Sequence, residues 1–410
     1  MDDKDKTVLR ALAGRIAEIG NLPIQKEKAD LWRRLNGLER TRPLVFICEI
    51  PWHEMNVNDE LTPRCEGDAA RELEQALRRL IYQWDHMPGD MVVDPEIPCH
   101  YVIHDTGYGV DVDSVRSEAS GITAADYVPV LQNEDDIARI KDPVITVDWD
   151  ATERNYQAMC ETFGDILPVR KTGVGHRWFA VWDQLIQWYG ITELYMDMLD
   201  RPDFVHMAAK RMSDAMIARL DQYQQLGVLS VSNGNHRVGS GGLGITDKLP
   251  QSDYDGVHAR TIDQWGCATG QIFSEVSPEM HAEFCLKYEL PWLERFGLNY
   301  YGCCEPLQNK IDMLRSVPRL RKISISPQAD VARAAEQMRR DFVLSRKPNP
   351  AMVATERWHP DQVRQTLTET LETTRDNVVE IILKDITTVR GEPQRLWEWS
   401  EIAMEVVQEF

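Results

Sequence analysis

The 410-residue sequence lacks the long apolar segments that insert proteins into membranes or direct their export. No run approaches the roughly 18 consecutive apolar residues of a transmembrane helix. The first residues, Met1 to Lys6, are mostly charged and contain no apolar signal core. The eight cysteines are too widely spaced for the disulfide framework of a small secreted domain. We therefore expect a cytoplasmic protein with free thiols.

Positive charge is also scarce, with 46 lysines and arginines against 66 acidic residues and a net charge of -20. Such a surface repels nucleic acids and anionic membranes, so we expect neither as a partner. The sequence contains no CxxC pair and no HExxH motif, two common signatures of metal or redox chemistry. Hydrophobic residues make up 43% of the chain, which is ample for a large core.

What the sequence does contain is a regular alternation of short apolar runs and longer amphipathic segments. The first forty residues carry two amphipathic stripes, which predict an N-terminal helical cap over residues 1–40. Eight strands follow, at residues 43–49, 91–94, 167–171, 228–232, 298–301, 322–326, 342–345 and 378–384. Helical segments lie between them, so the pattern predicts an α/β protein with a single (β/α)8 TIM barrel over residues 41–410.

Two segments are too long for a bare barrel and are predicted to be insertions. The first, at about residues 99–150, is polar and β-rich and follows strand 2. The second, at about residues 233–272, follows strand 4 and contains the glycine-rich run Gly239–Gly244. This run lacks the lysine and helix start of a nucleotide-binding loop, so it favours a lid or substrate loop.

The strand ends of the predicted barrel carry many ionisable side chains. In a barrel these ends face one mouth, where catalytic groups collect. The candidates are Glu49, Trp52, His53, Asp94, Glu96, Lys171, His176, Asn233, His236, Tyr301, Cys303, Cys304, Glu305, Lys347, Asn349, Lys384 and Asp385. Thiols, imidazoles and carboxylates together suit either a Zn²⁺ site or general acid–base chemistry. Burial in the core and simple ion pairing, as for Lys384 with Asp385, are the alternatives for each residue.

Four segments also resemble a known family. They are Lys171–His176, Met198–His206 with its Pro-x-x-Val-His pattern, Phe273–Phe284 and Ser345–Pro350. Their order and spacing over residues 40–390 are similar to those of the uroporphyrinogen decarboxylase superfamily. The resemblance implies a TIM barrel and one of two activities. One is decarboxylation of an acetate-bearing porphyrinogen without a cofactor, and the other is methyl transfer to or from a corrinoid, usually with zinc.

Departures from the family pattern distinguish the two activities. The decarboxylase holds its polyacid with an arginine-rich loop after strand one, but here Glu49–Met55 has two acids and no arginine. The methyltransferase branch carries His-x-Cys after strand five and a further cysteine after strand seven. The corresponding positions here are Tyr301-Gly-Cys303 and Asn349, so only Cys303 carries over. The substitute metal ligands stay open among Cys304, Glu305, His53, His236 and Glu49.

The run Tyr301–Leu307 and the glycine-rich loop look most like the methyltransferase components of anaerobic corrinoid O-demethylase systems. The resemblance implies that a small methylated substrate, with an aryl methyl ether the best guess, gives its methyl group to Co(I). No Asp-x-His-x-x-Gly motif for cobalamin occurs, so the corrinoid would come from a partner protein or bind without its usual ligand histidine. A Zn²⁺ ion and a homodimer are also implied.

The expected roles follow from this hypothesis. Catalytic roles fall to Glu49, His53, Tyr301 and Glu305, and metal binding to Cys303 and Cys304. Substrate-binding roles fall to Trp52, Glu96, Lys171, His176, His236 and Asn349. Two alternatives stay open: a decarboxylase of a small acid, with Lys171 or Lys347 holding the carboxylate, and a non-catalytic binding protein on the same barrel.

Overall fold

A computed structural model of the chain describes residues 2–112, 114–117 and 124–410. In chain order the strands are β1 (Leu44–Ile47), β2 (Ile97–His100), β3 (Ile103–Asp105), β4 (Ser114–Ser117), β5 (Ala124–Tyr127), β6 (Ile145–Val147), β7 (Val169–Thr172), β8 (Trp178–Phe179), β9 (Trp265–Ala268), β10 (Leu298–Tyr301), β11 (Leu320–Ile325), β12 (Val343–Arg346) and β13 (Val378–Leu383).

The helices lie before, between and after these strands along the chain. They are α1 (Asp3–Gly20), α2 (Pro23–Asn36), α3 (Asp68–His86), α4 (Glu134–Ile137), α5 (Trp149–Phe163), α6 (Val181–Tyr189), α7 (Ile191–Asp200), α8 (Pro202–Gln225), α9 (Pro278–His281), α10 (Lys287–Leu293), α11 (Ile311–Leu314), α12 (Val331–Met338), α13 (Pro360–Thr373) and α14 (Gln394–Val407). A π-helical turn, Ala282–Leu286, joins α9 to α10. Among the described helices, none has the length and apolar character needed to cross a bilayer.

Seven strands form one parallel sheet in the order β1-β13-β12-β11-β10-β9-β8. Consecutive strands from β9 to β13 are spatial neighbours, and the first strand pairs with the last, with Leu44 opposite Glu380. This order confirms the predicted α/β class and the parallel sheet, because each helical crossover returns the chain to the next position. A closed eight-stranded barrel remains a prediction.

Two predicted strands do not form regular ladders. Residues 91–94 follow Asp90, whose carboxylate accepts the Val45 N–H at 2.7 Å and whose own N–H donates to the Val45 carbonyl at 2.7 Å. The Asp90 carboxylate therefore accepts a bond beside β1 that the backbone carbonyl of a neighbouring strand would otherwise accept. Residues 228–232 contribute one isolated bridge, Leu229 with Val174, where the Ser230 N–H donates to the Val174 carbonyl at 3.2 Å. The Gln264 amide donates to the next carbonyl, that of Ser230, at 2.6 Å. The neighbouring pair is β2 with β7, which are parallel.

The predicted insertion at residues 233–272 needs a correction, because it contains β9, a strand of the main sheet. All four residues of β9 are buried. Gly266 interrupts the apolar pattern, and a Cβ there would lie 2.4 Å from the Asn299 side-chain oxygen and 2.6 Å from the Phe296 ring. Close packing therefore requires a glycine at position 266, and the same glycine interrupts the apolar run from which a strand would be predicted.

The excursion that begins near residue 99 contains two antiparallel pairs, β3 with β6 and β4 with β5. The N-terminal helices pack elsewhere. The α2 residue Trp32 is fully buried among residues from β1, β12 and β13, and its indole N–H donates to the Asp90 carbonyl at 2.7 Å. The start of the chain thus covers the end of the sheet opposite the C-terminal strand ends.

Candidate functional site

A cavity of about 630 Å³ lies where several strands of the sheet end. Its lining consists of Glu49, His176, Trp178, Ala180, Asp183, Arg237, Gly239, Ser240, Thr269, Gln271, Cys303, Cys304, Lys384 and Asp385. These residues come from the ends of β1, β9, β10 and β13, from β8 and α6, and from the glycine-rich loop. Catalytic groups of α/β barrels collect at this edge.

The two cysteines after β10 face a lysine at the end of β13. Gly302 ends β10 with a φ of 92°, and a Cβ there would lie 2.5 Å from Leu307, so the turn requires glycine. The Lys384 ammonium lies 3.6 Å from the Cys303 sulfur and 3.9 Å from the Cys304 sulfur. It also donates to the Asp385 carboxylate at 2.5 Å. One cation thus contacts both thiols and a carboxylate.

This arrangement gives the two thiols different pKa values. The bond from the Cys304 thiol, 3.6 Å away, and the charge of Lys384 lower the pKa of Cys303 to about 7, although burial opposes them. The same contact raises the pKa of Cys304, and burial adds to that effect. Because the thiolate is the reactive form of cysteine, Cys303 is the more reactive of the pair at neutral pH.

A second ion pair closes another side of the cavity. Glu49 has a φ of 54°, and its carboxylate contacts the Arg237 guanidinium at 2.7 Å and accepts the Asp385 N–H at 3.0 Å. Burial favours protonation, but the charge of Arg237 and the bond from Asp385 outweigh it and lower the pKa of Glu49 to about 2. Glu49 is therefore a carboxylate near neutral pH and holds no proton to donate.

Asp183 is a partly buried acid in the wall of the cavity. It lies in the first turn of α6, and the Gln271 amide donates to one carboxylate oxygen at 2.9 Å. Burial raises the pKa of Asp183 to about 6. A carboxyl group with such a pKa can act as a general acid near neutral pH. Sequence reasoning missed it, because it lies inside an amphipathic helix rather than at a strand end.

Glu305 lies beneath the cysteine turn and is fully buried. One carboxylate oxygen accepts from the Thr269 hydroxyl at 2.9 Å and the Gly270 N–H at 3.1 Å. The other oxygen accepts the Cys303 N–H at 2.8 Å. These bonds tie the loop after β9 to the turn that carries Cys303.

The two candidate histidines occupy different positions. His176 lines the cavity, where its Nε2 accepts the Gly239 N–H at 3.2 Å and lies 3.4 Å from the Cys267 sulfur. Burial lowers the pKa of His176 to about 3 and that of His236 to about 4, so both rings are neutral. His236 packs against the glycine-rich loop behind the lining, where a Cβ at Gly244 would come within 2.8 Å of it.

Two candidates from the loop after β1 point away from the cavity. The His53 side chain is 73% exposed and lies 3.6 Å from the Glu54 carboxylate. Trp52 packs edge-on against Tyr82, with ring centroids 6.1 Å apart, and Arg79 lies over its other side. Neither residue lines the cavity.

Three further candidates also lie outside it. Glu96 pairs with Arg170 at 2.5 Å, and Lys171 pairs with Glu153 on the outer face of β7. Asn349 caps a short turn through the Ala351 N–H, at 3.0 Å. Each side chain has a local structural partner away from the thiols.

Tyr301 faces the opposite side of the sheet from the cavity. Its hydroxyl lies 2.7 Å from the His281 Nε2 atom and 2.6 Å from a Glu289 carboxylate oxygen, and all three side chains are buried. The neighbouring Tyr300 points inward instead, where Lys347 donates to its hydroxyl at 2.5 Å. Burial lowers the pKa of Lys347 to about 7.

The cavity thiols do not fit a zinc ion. Zinc sites need three or four ligand atoms around the metal, whereas the Lys384 ammonium occupies the space beside both sulfurs. In the described part of the chain, only one group of three histidine, cysteine or acidic side chains gathers its ligand atoms within 4.8 Å. That group is the buried set His281, Cys285 and Glu289, not the cavity.

Several lining residues escaped prediction because separate chain segments supply them. Arg237 comes from the glycine-rich segment, Thr269 and Gln271 follow the unpredicted strand β9, and Asp183 comes from α6. The absence of arginine from Glu49–Met55 therefore does not leave the cavity without one. Paired acidic and basic residues far apart in sequence gave no local signal.

No protein-family model matches the chain, and no curated protein matches it. Among solved structures, the chain is similar to a methyltransferase from Methanosarcina mazei. The TM-score is 0.49 at 10% sequence identity, over 93% of this chain and 98% of the other. A score and identity this low support no inference about activity.

Proposed function

We propose that the protein is a methyltransferase that demethylates a small neutral substrate, with an aryl methyl ether the best candidate. The methyl group passes to the Co(I) corrinoid, a cobalamin, of a partner protein. The observation that carries the proposal is Asp183, a partly buried carboxyl in the wall of the strand-end cavity whose pKa is raised by burial to about 6. The family resemblance of the sequence supplies the reaction class.

A methyl ether needs such an acid because its oxygen is a poor leaving group. When Co(I) attacks the methyl carbon, the carbon–cobalt bond forms and the carbon–oxygen bond breaks. The oxygen leaves with the bonding electron pair and takes the Asp183 proton, while cobalt is formally oxidised to methyl-Co(III). Asp183 then regains a proton from solvent. A positioned general acid contributes about 10² to 10⁴ in rate.

The charges of the cavity favour a neutral substrate over a polyacid. Arg237 is paired with Glu49 at 2.7 Å, and Lys384 is paired with Asp385 at 2.5 Å. A polycarboxylate would have to displace these carboxylates, whereas a neutral ether leaves both pairs intact. Trp178 supplies an aromatic wall against which an arene could pack.

No step in this proposal uses zinc, since the cavity thiols do not fit the ion. Cys303 and Lys384 instead form a charged pair beside the substrate space. The corrinoid partner would dock over the open strand ends, where the exposed Cys304 lies. A homodimer and a cytoplasmic location stay part of the proposal.

The test is a methyl-transfer assay. The purified protein is mixed with a corrinoid protein reduced to Co(I) and a panel of methoxyarenes, and the absorption of methyl-Co(III) is followed. We expect methyl-cobalt with at least one methoxyarene and an equal amount of the free phenol. Methylated amines and thiols are then added to the panel, and if no methylated ether, amine or thiol yields methyl-cobalt, the proposal is wrong.

One observation favours a second candidate, a decarboxylase of a small carboxylic acid. The Arg237 guanidinium lines the cavity and could exchange Glu49 for a substrate carboxylate. Lys171 and Lys347 do not serve this purpose, because one pairs with Glu153 outside and the other is buried under Tyr300. Release of CO2 without any corrinoid, lost in Arg237→Gln, would identify this activity.

A further inference from the structure

A second group of ligand-type side chains lies behind β10, on the side of the sheet away from the cavity. His281, Cys285 and Glu289 are all buried, and their ligand atoms lie within 4.8 Å of one another. Two polar atoms of this group, His281 Nδ1 and Glu289 Oε1, are buried without a hydrogen-bond partner. An unpartnered buried carboxylate oxygen such as Glu289 Oε1 is rare in a dry protein interior and leaves a position for a cation, while His281 faces the group through Nε2.

The local backbone explains why the three side chains converge. They recur every fourth residue along α9, the π turn Ala282–Leu286 and α10. In an uninterrupted α-helix such residues drift around the axis, and the wider π turn offsets that drift. Single π turns occur mostly at functional positions.

The opposite wall of this group is the loop after β9. A Cβ at Gly270 would lie 2.6 Å from the Cys285 sulfur and 3.1 Å from the His281 Nε2 atom. Only a glycine leaves room for the two ligand atoms to face the loop. The same Gly270 donates its N–H to Glu305, so the group touches the loop that anchors the cysteine turn.

Charge around the group is also unbalanced. Glu289 and Glu305 are both buried acids, and the hydrogen bonds that they accept come from neutral donors: the Tyr301 hydroxyl for Glu289, and the Thr269 hydroxyl and two backbone N–H groups for Glu305. The buried side chain of Lys310 donates to the Phe273 carbonyl rather than to a carboxylate. A bound divalent cation would offset this excess of buried acids.

We propose that His281, Cys285 and Glu289 bind a divalent transition metal, with Zn²⁺ the preferred ion. A sulfur, an imidazole nitrogen and a carboxylate oxygen form a typical zinc donor set, and the sulfur disfavours Mg²⁺ and Ca²⁺. The Tyr301 hydroxyl, within 2.7 Å of two of these side chains, is placed to supply the fourth ligand. Because every ligand is buried, the site is structural, and it is independent of the proposed methyl transfer.

The first experiment measures metal content in the full-length protein. Wild type is produced in zinc-supplemented medium, freed of loosely held metal by chelation, and analysed by mass spectrometry. Cys285→Ser is compared with the double variant Cys303→Ser/Cys304→Ser, which removes two thiols from the cavity. We expect stoichiometric zinc in wild type and in the double variant and its loss from Cys285→Ser. A metal-free wild type, or zinc lost only with the cavity thiols, would overturn the proposal.

A spectroscopic measurement keeps the proposal testable if Cys285→Ser does not fold. Wild type and the cavity double variant are produced with Co²⁺ in place of zinc. We expect a thiolate-to-cobalt charge-transfer band and the intense visible bands of tetrahedral cobalt in both proteins. Absence of these bands from wild type would show that the buried group is only a hydrogen-bonded core network. Two sulfur ligands in X-ray absorption would place the metal at other thiols, and that result would also overturn the proposal.

Discussion

Two adjacent tyrosines of β10 belong to opposite chemical environments. Tyr300 faces the interior below the cavity, where its hydroxyl meets Lys347 and Ser240. Tyr301 faces α10, where its hydroxyl meets His281 and Glu289. The side-chain period of a strand places neighbours on opposite faces, so one residue borders a polar pocket and the next a dry layer.

The cysteines repeat this contrast. Lys384 contacts Cys303 and helps to lower its pKa to about 7, whereas burial raises the pKa of Cys285 well above its ordinary range. The carboxyls differ as well, since ion pairing lowers the pKa of Glu49 to about 2 and burial raises that of Glu289 to about 8. Near neutral pH the reactive and charged side chains are therefore those of the cavity. Cys285 and Glu289 need a positively charged partner before they can lose their protons.

The largest expected effect comes from a substitution in the cavity. Asp183→Asn removes the proposed proton donor, so methyl transfer should fall by about 10² or more. In wild type the rate should decline as the pH rises through about 6, because the carboxyl loses its proton, and the Asn variant should lack this decline. Rates are measured by methyl-Co(III) formation across that range.

The matched control is Asp203→Asn, which changes an exposed acid in the first turn of α8. Its rate should equal that of wild type. An Asp183→Asn variant with an unchanged rate and pH profile would remove Asp183 from the mechanism.

The second prediction compares the two tyrosines directly. Tyr301→Phe removes the buried hydroxyl that contacts both His281 and Glu289, so the free energy of unfolding should fall by about 1 to 3 kcal/mol. Tyr300→Phe should cost less, because Lys347 also donates to the Ser345 carbonyl and hydroxyl. Urea denaturation measures both, and an equal or larger loss in Tyr300→Phe would contradict the contrast.

The third prediction concerns thiol reactivity. Cys303 should react with iodoacetamide before Cys285, and its rate should rise as the pH increases through about 7. Lys384→Met removes the neighbouring charge, so the rate at neutral pH should fall by about fivefold. Peptide mass spectrometry identifies the modified residue.

Lys210→Met serves as the control for that experiment, because Lys210 pairs with Asp214 on an exposed helix surface. It should leave the alkylation rate unchanged. Equal rates at Cys303 and Cys285 in the folded protein would show that the two thiols are not distinguished.

The smallest expected effect is the contribution of Glu49 to the pH dependence of stability. Its pKa is lowered from 4.5 to about 2 in the folded state, so its contribution to stability is present above pH 4.5 and is lost as the pH falls towards about 2. Because the side chain is half-exposed, solvent reduces the effect. Glu49→Gln should lose less stability than wild type between those values, whereas the exposed Glu27→Gln should follow wild type. An identical loss in Glu49→Gln would argue against the ion pair.

Sequence reasoning predicted the class of fold because apolar runs and amphipathic segments are local signals. It failed at two strands, where a neighbouring side chain or a glycine changes what the local pattern predicts. Residues 91–94 have the right composition, yet Asp90 takes a ladder position beside β1. In β9 the glycine that permits close packing also breaks the apolar pattern.

For the cavity, the sequence by itself identified the reactive residue types near strand ends, and Glu49, His176, Cys303 and Cys304 do line it. Only the tertiary structure decided that Arg237 and Asp183 join them and that Tyr301 turns away. The physical reason is that residue composition and hydrophobic periodicity determine local helix and strand structure over only a few residues. Strand register and the approach of distant segments depend on packing across the whole chain.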